Sequence, residues 1–126
     1  LNRLTNMVDA VGTSGYSYDA ANELLSEDGP WASDTVSYTY NNRLRSSMSV
    51  LQPNADPWSQ TYAYDPARRL TNTTSAAGSF GYAYDATRQL QVARLSLPNG
   101  AYITNSFDSV ARELSTELLK GVGSHF

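Results

Sequence analysis

The sequence predicts an all-β fold, an antiparallel meander of about 10–12 short strands forming a curved sheet or a closed small barrel. Three observations lead there. Aromatic pairs recur as Tyr16-Ser17-Tyr18-Asp19, Tyr38-Thr39-Tyr40-Asn41, Tyr62-Ala63-Tyr64-Asp65 and Tyr82-Ala83-Tyr84-Asp85, with a degraded copy at Asn105-Ser106-Phe107-Asp108. A leucine follows each pair, at Leu24, Leu44, Leu70, Leu90 and Leu114, so the chain divides into units of roughly 20 to 26 residues, a period typical of repeat sheets. Turn-forming residues separate the units, at Gly12 to Gly15, Asp28-Gly29-Pro30, Pro53-Asn54, Ala77-Gly78 and Pro98-Asn99-Gly100.

Each element follows from this pattern. A large aromatic on either side of a small residue has the period of two that puts both rings on one face of a strand. Tyrosine and threonine favour such pleated surfaces. The aspartate after each pair, followed by small or polar residues, reads as a turn in which its carboxylate accepts a backbone hydrogen bond. The leucine then marks re-entry into a strand, giving two strands per repeat. Asn99-Gly100 between Leu95, Leu97, Tyr102 and Ile103 predicts a two-residue hairpin loop. Val110 to Lys120 has helical leucine spacing at Leu114, Leu118 and Leu119, but its place in the repeat predicts strand.

Composition narrows the class. The 126 residues suit a single domain, residues 1–126, of about five repeats plus one repeat split between the two ends. Nine scattered basic residues against twelve acidic ones offer no basic face for a phosphate backbone, so no nucleic-acid partner is expected. Without cysteine there is neither a disulfide framework nor a thiolate metal site. No apolar run reaches the length of a membrane-spanning helix. The start at Leu1 suggests a piece of something longer, with any secretion signal lying outside it.

The best-formed unit, Tyr62-Ala63-Tyr64-Asp65-Pro66-Ala67-Arg68-Arg69-Leu70, resembles the RHS or YD repeat of bacterial polymorphic toxins, insecticidal toxin-complex shells and teneurins. The resemblance extends over essentially the whole chain. It implies a strand-turn-strand scaffold, a ribbon of hairpins that encloses or presents another polypeptide, and a secreted or cell-surface bacterial setting. The partners it implies are polypeptide cargo or neighbouring repeats. Departures are visible where the family has glycine before Arg-Leu. Asn22, Arg68 and Arg88 hold that place here, and arginine tolerates the left-handed conformation poorly. The unit at Asn41-Asn42-Arg43-Leu44 lacks two residues, and the last unit has one extra. Segments by which such toxins cleave off a payload are missing, so self-cleavage is not implied.

The ends read as parts of one broken repeat, Asn2-Arg3-Leu4 and Ser124-His125-Phe126. Their pairing would close a barrel; otherwise unpaired edges remain, open to homo-oligomers that exchange or share strands. Candidate ligand-binding side chains are Trp31 and Trp58, expected in loops between units, with Tyr38, Tyr40, Tyr62, Tyr64, Tyr82 and Tyr84 as a ladder. Exposed rings of this kind would stack on sugars or small apolar ligands, although a structural ladder is the favoured reading of the tyrosines. Catalytic signals are thin. His125 is the single histidine, and with Ser14 or Ser124 it would form a hydrolytic site only if the C-terminal end were docked. Glu23, Glu27, Asp28 and Asp34 cluster in sequence and would supply the carboxylates of a small hydrolase only if brought face to face. No cofactor and no metal site is expected.

Overall fold

The computed structural model describes residues 2–88 and 90–121. Eleven strands occupy most of them: β1 (Asn6–Val8), β2 (Thr13–Tyr18), β3 (Leu24–Asp28), β4 (Val36–Asn41), β5 (Leu44–Gln52), β6 (Ala55–Tyr64), β7 (Leu70–Ser75), β8 (Gly78–Tyr84), β9 (Val92–Ser96), β10 (Ala101–Phe107) and β11 (Glu113–Lys120). Strand order follows chain order from β1 to β11, so the expected all-β meander is what the chain forms. The ambiguous stretch before Lys120 is strand β11, as its repeat position predicts. Among the described residues β1 and β11 stand at the two ends of that order, which is the open alternative rather than the closed barrel. Ser124, His125 and Phe126, on which closure was to depend, lie outside the described residues.

Contacts group the chain into two units, Leu1–Thr61 and Tyr62–Phe126. Within the first, register sets two unlike faces. Tyr16, Glu27, Val36, Val50 and Trp58 lie opposite one another across β2 to β6, beside Tyr38 and Met48. On the other face Ser17, Ser26, Ser37, Ser49 and Ser59 form an equally continuous row. In the second unit Tyr82, Leu95, Ile103 and Leu118 line up across β8 to β11. The reverse side is mixed, with Ser106 opposite Ser115 and Tyr102 opposite Leu119.

The tyrosine faces are only half-buried. Among the described residues no apolar side chain is fully buried, and Thr73, 8% exposed, is the one buried polar residue. Within each unit, side chains on a face shield one another laterally.

One irregularity recurs and explains how the repeat works. After β3, β5, β9 and β11 begin, an extra residue bulges out, at Leu25, Ser46, Ala93 and Leu114 respectively. The bulge lets both aromatics of a pair meet partners on one face, Tyr16 with Glu27 and Tyr18 with Leu24, for example. It also shows that the five repeat leucines are not equivalent in space. The positions opposite the second aromatic are Leu24, Arg45, Val92 and Glu113. Leu44 falls one residue early, Leu90 sits in a turn at 87% exposure, and Leu114 is itself the bulged residue. Re-entry at the leucine therefore holds at Leu24, Leu44 and Leu70 and fails at Leu90, where the strand starts at Val92.

Candidate functional site

The Asp turns are rigid and polar. Asp65 donates its backbone N–H to Arg69 O, its carboxylate accepts the Arg69 N–H at 2.9 Å, and Arg68 N–H closes the turn onto Asp65 O. Asp19 with Asn22 and Glu23, and Asp108 with Ala111 and Arg112, repeat the arrangement. The fourth residue of each is left-handed: Asn22 (φ 66°), Arg68 (φ 64°) and Ala111 (φ 69°). This is a turn followed by a left-handed bulge residue, the place where glycine would be easiest. The shortened unit solves the problem differently. Asn42 (φ 50°) and Arg43 (φ 62°) make a two-residue loop with both central residues left-handed. The Asp85 turn is longer, closing from Asp85 N–H to Gln91 O.

Hydrogen bonds and charge hold the turn carboxylates below their ordinary range. For Asp65 and Asp108 the largest cause is a backbone N–H, from Arg69 and Arg112, followed by those arginines' guanidinium groups. For Asp85 it is the Thr87 hydroxyl. Asp19 is lowered chiefly by Glu23 N–H, while burial pushes Glu23 up. The hydrogen bonds of these carboxylates are made within the turns themselves.

Several tyrosine hydroxyls are likewise engaged within the sheet. Tyr18, Tyr40 and Tyr84 donate their hydroxyls to the carbonyls of Leu4, Leu24 and Leu70 at 2.8–2.9 Å. In the degraded repeat Phe107 has no hydroxyl, and the Asn105 amide caps the corresponding carbonyl, Val92 O, at 3.0 Å. Tyr38 donates to Glu27, and burial, then this carboxylate, raises its pKa. Arginines cover several rings, with Arg45 4.2 Å from the Tyr38 ring centre and Arg69 4.5 Å from that of Tyr84. Tyr62, Tyr64 and Tyr82 are half-buried strand residues.

The tryptophans part company. Trp58, expected in a loop, belongs to β6 and faces Val50. Asp56-Pro57 form a bulge there, which accommodates a proline inside a strand. Trp31 does occupy the loop between β3 and β4 and is 65% exposed. It borders a groove of about 290 Å³ whose walls include Tyr16, Glu27, Asp28, Asp34 and Val36. Three of the four clustered acidic residues thus border one groove, with Glu27 on the tyrosine face and Asp28 alternating to the reverse one, and Glu23 stays in the Asp19 turn.

The loop is preorganised. Asp34 accepts from Gly29 N–H (3.1 Å) and Trp31 N–H (2.9 Å), and Asp28 accepts from the Thr35 hydroxyl. A Cβ on Gly12 would lie 2.5 Å from Pro30 Cβ, so the absence of a side chain there lets the loop dock on the preceding turn. Sequence reasoning missed the serine row, whose signal was the small spacer between aromatics. Ser17 and Ser26 (2.6 Å) and Thr39 and Ser47 (2.6 Å) are joined through their hydroxyls. Among the described residues no group of three metal-ligating side chains is arranged to hold an ion. Ser14 lines the groove, whereas Ser124 and His125 fall outside the described residues. No protein-family model matches the chain, and no curated protein matches it.

Proposed function

We propose that the chain is an interaction scaffold: a structural segment of the RHS or YD-repeat kind that encloses or presents another polypeptide against its tyrosine faces. The observation that carries this reading is the half-exposed aromatic and aliphatic face in each unit, with no apolar side chain fully buried among the described residues. Apolar area left in contact with water gains about 25 cal/mol per Å² when a partner covers it. The rigid turns and capped tyrosines support a scaffold role because they fix the faces before any partner arrives. A secreted or surface-exposed bacterial protein is the setting that the repeat resemblance supplies.

The two unlike faces give the test its control. An unfolded model polypeptide, reduced and carboxymethylated lactalbumin, should bind the whole chain. Met48→Ser with Val50→Ser on the tyrosine face should weaken that binding several-fold, and Ser37→Ala with Ser49→Ala on the reverse face should leave it unchanged. Equal effects from both faces, or no binding at all, would overturn the reading.

A further inference from the structure

We infer that the Trp31 groove binds an organic cation, the guanidinium or ammonium group of a basic polypeptide side chain. This rests on the scaffold reading only in taking the cation's source to be a polypeptide. Trp31 stands out because its indole is 65% exposed on a loop held from three sides, by Asp34, by the Asp28–Thr35 bond and by the Gly12–Pro30 contact. A large aromatic held mostly exposed on a fixed loop is a ready platform, and tryptophan is the strongest ring for a cation. The second ring of the wall, Tyr16, sits on β2.

Charge selects the ligand class. The lining contains Glu27, Asp28 and Asp34 and no lysine or arginine. An anion is excluded by repulsion. Internal hydrogen bonds occupy both oxygens of Asp34 and one oxygen of Glu27, which leaves the second Glu27 oxygen for a ligand on the face it shares with Tyr16 and Val36, whereas Asp28 alternates to the reverse face and accepts there from the Thr35 hydroxyl. A neutral sugar would cover these carboxylates without compensating their charge, and a cation compensates it. The carboxylates are not gathered into a metal shell. A flat, delocalised guanidinium between the Trp31 indole and the Glu27 carboxylate, with the charges of Asp28 and Asp34 nearby, suits the arrangement best. At about 290 Å³ the groove lies at or below the small end of drug-sized pockets, roughly 300–1,000 Å³, and takes one such group.

A blocked di-arginine peptide, a blocked di-glutamate peptide and a linear β-glucan tetrasaccharide are titrated calorimetrically into the unaltered chain. They are titrated in parallel into Trp58→Phe by fluorescence, where Trp31 is the remaining tryptophan. Saturable binding is expected for di-arginine alone, weakening as salt rises. Trp31→Ala and Glu27→Gln should each weaken it at least tenfold, with the far-ultraviolet circular dichroism unchanged. Absence of di-arginine binding to the unaltered chain overturns the inference, as does equal or tighter binding of the tetrasaccharide. So does affinity that survives Trp31→Ala within threefold. If di-arginine binds while the unfolded polypeptide does not, the groove stands and the scaffold reading falls; the reverse result removes the groove and leaves the scaffold.

Discussion

At the scale of the residue, the second aromatic of each pair is a hydrogen-bonding device as much as an apolar one. Its hydroxyl satisfies a carbonyl at the start of an earlier strand, at Leu24 and Leu70, or just before one, at Leu4, and Asn105 takes over for Val92 where phenylalanine replaces tyrosine. Tyr84→Phe should therefore lower stability by about 1 kcal/mol in urea denaturation, the net worth of one such bond. Phe107→Tyr should give no matching gain, because the Asn105 amide already caps that carbonyl. Backbone strain gives a second residue-level expectation. Ala111 holds φ 69° in the Asp108 turn, a conformation that costs an L-residue about 1–2 kcal/mol and glycine almost nothing. Ala111→Gly should raise stability by up to about 1 kcal/mol once the greater freedom of glycine in the unfolded chain is counted. The backbone bond that the Gln91 amide makes to Ala111 O, 2.7 Å, survives the change.

At the scale of the element, turns on one side of the sheet rest on each other. Gly12 meets Pro30, and in the second unit a Cβ on Gly78 (φ 110°) would lie 2.5 Å from Pro98 Cβ. Gly78→Ala should destabilise by about 1–3 kcal/mol through overpacking and strain, whereas Gly15→Ala, with nothing within 4 Å, should be nearly silent in the same denaturation assay. These contacts also mark where the sequence was legible and where it was not. Period-two aromatics and Asp turns are local signals, and they placed all-β strands, the aspartate hydrogen bonds and the exposed Trp31 loop. Bulges are not local: nothing in Leu24-Leu25 or Arg45-Ser46 says which residue leaves the ladder, because that depends on the opposite strand. Leu90 and Leu114 therefore read as equivalents of Leu24 and are not. The Asn99-Gly100 pair predicts a two-residue loop. Pro98 joins it instead, with Gly100 left-handed at φ 79° and its N–H bonded to Leu97 O, because proline favours the first corner of an ordinary turn. Trp58 was drawn into a loop by Pro57, and the bulge keeps it in the strand.

At the scale of the whole molecule, the turn carboxylates make stability depend on acid, and unequally along the chain. Asp65, Asp85 and Asp108, all in the second unit, have folded-state pKa values below the ordinary aspartate value. A lowered carboxylate contributes stability that is complete above the unfolded-state pKa, near pH 4, and disappears as pH falls through the folded-state value. In the first unit Asp19 acts in the same sense, but Glu23 beside it is raised by burial and acts in the opposite one, and the second repeat carries Asn41 where the others carry aspartate. Acid should thus loosen residues 62–126 before residues 2–61. Amide spectra recorded from pH 6 to pH 2 should lose dispersion first in the second unit, and Asp65→Asn with Asp108→Asn should remove most of that pH dependence while lowering stability at neutral pH. Added salt should erode the part carried by the Arg69–Asp65 and Arg112–Asp108 pairs, both 2.7 Å, and spare the part carried by backbone N–H groups. Simultaneous loss of both units, at a pH the substitutions leave unmoved, would show that the turn aspartates do not set the acid limit of the fold.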